Sequence, residues 1–130
     1  MSASSQWNQQ TVSFPAGGAI LAHHFVKFDS NRAIVPCAAT TDIPIGVSRD
    51  AAATGETVAV IVGGLGLLTV SAAVALGALV GTTADAEGVT LTPDAAATAY
   101  VAARAFEAAT ADQDDILVQV VPATNIALSA

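Results

Sequence analysis

Two adjacent histidines, His23-His24, and an acidic run, Asp112-Gln113-Asp114-Asp115, are the residues of this 130-residue chain whose types first suggest chemistry. Histidine is a common metal ligand, but the spacing is wrong for one ion. On the strand expected near 24–28, neighbouring side chains leave opposite faces, so the pair cannot chelate together. No third His exists, and no Cys or carboxylate cluster stands at ligand spacing nearby. One exposed and one partly buried histidine is the expected outcome. The acidic run lacks the alternating oxygen ligands, sharp-turn Gly and distal Glu of a calcium loop, and reads as a solvated hairpin turn. The "GGLGLL" stretch has neither a third Gly in register nor a following helix, so Gly63, Gly64 and Gly66 are expected at a turn or bulge rather than on a dinucleotide. Ser, His and Asp occur in no nucleophile motif. The lone Cys37 cannot form an internal disulfide and is expected as a small buried residue. Lys27 admits a carrier reading, in which a small β domain bears a modified lysine. Its context "FVKFD" is strand rather than hairpin tip. No catalytic residue, metal site or cofactor site is expected.

Composition narrows the classes further. Hydrophobic residues make up 53% of the chain and charged residues 12%, with a net charge of −7. Charge is also unevenly placed. Residues 1–50 balance Asp29, Asp42 and Asp50 against Lys27, Arg32 and Arg49, whereas Arg104 is the single base of residues 51–130. A phosphate-backbone binder needs clustered Lys and Arg, so nucleic acid is not an expected partner. Met1 is followed by polar residues, without the basic and apolar regions of a signal peptide. Residues 57–84 carry no charge and are long enough by hydropathy for a membrane span. Five glycines and the absence of flanking Lys, Arg, Trp or Tyr argue against it. The stretch divides instead into strands at Val58–Val62, Leu65–Val70 and Leu79–Thr83.

An approximate duplication organises the elements that hold these residues. Residues 19–62 align with 73–121: Phe25-Val26 with Leu79-Val80, Asp50-Ala51-Ala52 with Glu107-Ala108-Ala109, and Val58-Ala59-Val60 with Ile116-Leu117-Val118. The offset drifts from 54 to 58 residues across these matches. Pro36 and Pro93 are taken as aligned. The duplication resolves one conflict. Val101–Ala109 has helix propensity, but its counterpart "IGVSRDAAA" carries Gly46 and follows Pro44, so Tyr100–Phe106 is expected as strand, with a short helical turn at Asp94–Ala97. Strands are expected near 24–28, 33–37, 44–49, 57–62, 65–70, 79–83, 88–92, 100–106 and 116–121. The fold class is all-β: a small barrel or sandwich (19–121) of two related β-units, with an extended N-terminal arm (1–18) and a short C-terminal tail (122–130).

The two copies resemble bacteriophage capsid cement, or head decoration, proteins. The resemblance rests on "AGGAILAHHFVKFDSNRAIVPCA", "IGVSRDAAATGETVAVIVGG", "VSAAVALGALVGTTADAEGVTLTP" and "FEAATADQDDILVQVVPA", and covers roughly residues 16–122. The second copy departs by carrying Ala102 and Phe106 where Gly and a smaller residue are expected. The resemblance implies a structural virion protein, made in the host cytoplasm and placed on the outer capsid surface. Its implied partners are the major capsid protein and itself, as a homotrimer, with neither nucleic acid nor membrane. The arm is a plausible clamp, with Trp7, Asn8, Gln9 and Phe14 as its capsid-contacting residues, because aromatic anchors dominate interface energetics.

Overall fold

A computed structural model describes residues 9–92 and 99–125. Among them there is no helix. Nine strands follow in order: β1 (Gln9–Pro15), β2 (Phe25–Phe28), β3 (Ile34–Pro36), β4 (Gly46–Ser48), β5 (Thr57–Thr69), β6 (Leu79–Thr82), β7 (Gly88–Thr90), β8 (Tyr100–Ala105) and β9 (Asp115–Asn125). They form one antiparallel, curled sheet in the order β3-β2-β4-β5-β9-β8-β6-β7, with β1 added to β5. The helix-prone stretch after Tyr100 is strand, paired on both edges to β6 and β9. Residues 94–97, expected as a helical turn, lie outside the described residues.

Residues 57–84 do not form one element. They give β5, a turn and β6, and no helix among the described residues is long and apolar enough to cross a membrane. The two strands expected at 58–62 and 65–70 are in fact one. β5 runs through the glycines with a bulge, where Gln10 pairs Gly63 and Thr11 pairs Ile61, and Gly64 takes φ +82°. Only glycine reaches that backbone without steric cost, so the glycines let a 13-residue strand bend without breaking.

The ladder registers show what the bend does. Thr11 faces Ile61 and Phe14 faces Val58 across β1–β5, while Leu65 faces Gln119 and Leu68 faces Ile116 across β5–β9. The second half of β5 therefore stands to β9 as β1 stands to its first half. Continuing, Phe25 pairs Val47 as Leu79 pairs Arg104, and Val47 pairs Ile61 as Arg104 pairs Gln119. The single bridges repeat too: Ala16–Ile34 with Val70–Gly88, and Ile20–Ala52 with Val74–Ala109. Each unit thus closes on itself into a small, five-strand curl.

Two boundaries and two correspondences shift accordingly. Gln9–Pro15, expected within an extended arm, is the first strand of the first unit, and β9 carries Pro122–Asn125 of the expected tail. Pro36 corresponds to Thr90, not Pro93, because they face Val26 and Val80 respectively. Gly46 corresponds to Ala103 rather than Ala102, since a register shift between Val101 and Ala103 leaves Ala102 as the extra residue. A Cβ on Gly46 would collide with the Ile61 carbonyl oxygen.

Turn chemistry repeats as well. Asp29 Oδ1 accepts from Asn31 N–H (2.7 Å) and Ala33 N–H (3.0 Å), and Thr83 Oγ1 does the same for Asp85 (3.2 Å) and Glu87 (3.3 Å). Left-handed residues fall at matched places: His23 and Gly77, Arg32 and Ala86, Gly55 and Gln113. Each unit has its own core. Ala16, Ile20, Val26, Ile34, Ala52, Val58 and Val60 fill the first. Val70, Val74, Val80, Ala109, Ile116 and Val118 fill the second, which also takes in Phe25, Cys37, Val47 and Ile61 from the first unit.

Candidate functional site

The residues first considered for chemistry are dispersed. His23 lies in the turn before β2 with φ 65°, not on a strand, and is half-buried; His24 is buried. Neither is the exposed histidine expected, because the second unit packs over this turn. Thr69 N–H donates to the His23 carbonyl (2.8 Å). His24 Nδ1 lies 2.8 Å from the Ala22 carbonyl, and its Nε2 is 3.7 Å from Glu87 Oε2. Gln113 Nε2 donates to the same Glu87 oxygen at 2.6 Å. Among the described residues, no three His, Cys, Asp or Glu side chains come together as a metal site would need.

The acidic run forms the turn into β9. Gln113 is left-handed there, and Asp114 Oδ2 accepts from Thr110 (3.2 Å) and Ala111 (3.3 Å). Asp115 Oδ1 accepts from the Thr69 hydroxyl. Asp114 therefore fastens the turn's backbone, and Asp115 ties the start of β9 to the Thr69 side chain. Lys27 is mid-strand and ion-paired to Asp42 (2.9 Å). Burial acts to raise the Asp42 pKa, but hydrogen bonds from Ala38 N–H and Lys27, with the lysine charge, prevail and hold it below the usual value. Cys37 is buried at the seam between the units. Desolvation pushes its thiol from 9.0 to about 11, against a hydrogen bond with Thr82 that acts to lower it. A thiol so held is inert rather than nucleophilic.

What the surface does offer is an apolar groove of about 440 Å³ on the first unit, lined by Phe14, Phe28, Asp29, Ser30 and Arg32. β1 brings Phe14 across from Val58, and the end of β2 brings Phe28 across from Ile34. Their rings meet edge to face, centroids 5.2 Å apart at 86°, the geometry the ring quadrupoles favour. The Asp29 turn then lifts Arg32 over the rim. Of the residues expected to contact a partner, the structure places Gln9 half-buried at the start of β1 and Phe14 in this groove. Trp7 and Asn8 lie outside the described residues. Phe28, Asp29 and Arg32 were not expected at a site. Their signal was faint: an aromatic at the end of "FVKF" where the second copy has Thr82.

An all-β chain of two curled units with an exposed aromatic groove has the features of a structural binding protein. The comparisons make the class particular. The family model of phage cement proteins matches residues 5–120, so the chain belongs to the phage cement protein family. Its location is accordingly the capsid surface of the virion, and it is a capsid-associated structural protein. Among solved structures, the fold is similar to the N base of the head fiber gp8.5 of bacteriophage phi29, with TM-score 0.64 at 17% identity. That similarity covers 86% of this chain and 93% of the other. Among curated proteins, none matches.

Proposed function

We propose that the protein binds the outer surface of an assembled capsid as a homotrimer and stabilises contacts between major capsid subunits. The observation that carries this reading is the family match from residue 5 to residue 120, which takes in part of the N-terminal segment as well as both units. Trp7, Asn8 and Gln9 are the contacting residues. β1 begins at Gln9 opposite Gly64, where β5 bends between the two units. Phe14 roots this segment against Phe28. The role is passive and has no chemical step: a protein that binds only the assembled shell favours that state by mass action. Three weak contacts joined in one trimer bind far more tightly than one. The acidic surface of the second unit faces solvent, where like charges oppose aggregation. Nucleic acid plays no part in the binding.

Cosedimentation with empty shells tests the proposal. Deleting Met1–Asn8, which leaves β1 whole, is expected to abolish occupancy. Trp7→Ala should weaken binding at least tenfold, the effect of losing an aromatic anchor, while Asp114→Ala should leave it near wild type. Full occupancy without residues 1–8 would remove the segment from the mechanism.

A further inference from the structure

The two units meet head to tail, and the same contact is left half-made at each end of the molecule. The outward face of the first unit, made of Phe25, Cys37, Val47 and Ile61, is fully covered, because it lies on the second unit beside Leu68, Thr82 and Ala86. Phe25 N–H donates to the Ala86 carbonyl (2.7 Å), and Cys37 hydrogen-bonds Thr82. By the ladder registers, the receiving residues Leu68, Thr82 and Ala86 correspond to Phe14, Phe28 and Arg32 of the first unit. Those are the lining of the open groove. Thr82 is 3% exposed and Phe28 is 48% exposed, so the equivalent surface has lost its cover. The covering residues Phe25, Cys37, Val47 and Ile61 correspond in turn to Leu79, Leu91, Arg104 and Gln119. None of these four is buried.

From this we infer that the groove at Phe14, Phe28 and Arg32 receives the Leu79–Leu91–Arg104 face of a second copy, in the arrangement by which the first unit already covers the second within one chain. The occupant is another copy because the chain itself contains the matching surface, displaced by one unit. The contact is heterologous, so each chain offers one groove and one covering face, and copies joined this way form a ring when the rotation from unit to unit closes after three chains. This rests on the trimer of the proposed function: three chains then present six units in succession around the ring. The covering face of the second unit exchanges Val47 and Ile61 for Arg104 and Gln119. A face that waits in water before assembly needs such polarity, and arginine is favoured at interfaces. Arg104 meets a groove that carries the Asp29 carboxylate. Leu79 N–H takes the Arg32 carbonyl of the neighbouring copy, as Phe25 N–H takes that of Ala86. One bond cannot repeat: Thr69 N–H reaches the His23 carbonyl, whereas its counterpart Pro15 has no N–H to give.

Light scattering on Phe28→Asp and Leu79→Asp tests the arrangement. Both substitutions are at unburied positions, and circular dichroism checks the fold. Wild type is expected to be a trimer of 12.8 kDa chains, and each variant alone a monomer. Mixed in equal amounts, the two variants should give a dimer and nothing larger, since only one groove and one covering face remain intact. A double variant, Phe28→Cys with Leu91→Cys, should be oxidised to a covalently closed trimer, while Thr82→Cys should bridge to Cys37 within one chain. A trimer that survives both Asp variants, or a Phe28→Cys/Leu91→Cys protein that stays monomeric on denaturing gels, overturns the face assignment. A monomeric wild type that still cosediments with shells overturns it too, while leaving shell binding intact. A trimer with these properties that ignores shells would sink the capsid reading instead.

Discussion

Phe25 and Leu79 hold the same place in their respective units, yet one is wholly buried and the other is not. The difference lies in their surroundings rather than in their strands. Phe25 is covered because the second unit packs on it, whereas Leu79 is only half-buried among the described residues. The matched positions differ in polarity in both directions: Val47 and Ile61 stand against Arg104 and Gln119, whereas Thr82 and Cys37 stand against Phe28 and Leu91.

The largest effect expected from breaking this comparison is at the seam itself. Phe25→Ala should destabilise the chain by about 3–5 kcal/mol in denaturant unfolding, whereas Leu79→Ala should cost the monomer under about 1 kcal/mol. Equal costs would mean that the seam contributes nothing beyond each unit's own packing. Inside the units the comparison should vanish. Val60→Ala and Val118→Ala stand at matched, fully buried positions and should each cost about 2 kcal/mol. A difference above about 1 kcal/mol would show that one core is much better packed than the other.

The matched left-handed turns give a smaller effect. Gly55 and Gln113 occupy the same turn, with φ 90° and 69°. Gly55→Gln should therefore lower stability by about 0.5–1 kcal/mol, whereas Gln113→Gly relieves a similar backbone cost but loses the hydrogen bond to Glu87 and should not raise it. A further effect is a pH dependence confined to the seam. Cys37 is held at about 11 in the folded chain, above the 9.0 of an ordinary thiol. The folded state favours the neutral thiol, so its contribution is complete below pH 9 and is lost as pH rises through about 11. Unfolding curves between pH 8 and 11 should fall more steeply for wild type than for Cys37→Ala. The thiol should also react with a disulfide reagent at pH 8 only once the chain unfolds. Reaction of the native protein at the unfolded rate would place Cys37 outside the seam.

Much of the fold was legible in the residues. Strand lengths, Gly and Pro punctuation and the drifting duplication mark an all-β chain of two units, and Pro44 with Gly46 correctly turns the helix-prone stretch at Tyr100–Ala105 into strand. Two strands were counted where β5 is one, because glycine signals a break and a pliable bend equally well. β1 was passed over as an arm for a related reason. "QQTVSFP" has too little apolar content to read as strand, and its partner is more than forty residues away in β5. Once β1 is seen as the counterpart of the second half of β5, the duplicated unit begins at Gln9 rather than Ala19. Of the groove, Phe14 had been singled out from the sequence as a contact residue and Phe28, Asp29 and Arg32 had not, since alternation along "FVKF" does not say whether its outward residue meets water or protein.

The sequence by itself determined that this chain is β-rich, duplicated, poor in charge and without a nucleophile or ligand motif, because turn chemistry, alternation and composition act over a few residues at a time. Only the tertiary structure decided which copy of each repeated surface is covered. Coverage depends on how one whole unit sits on the next, and identical local patterns at Phe25 and Leu79 carry no record of that placement.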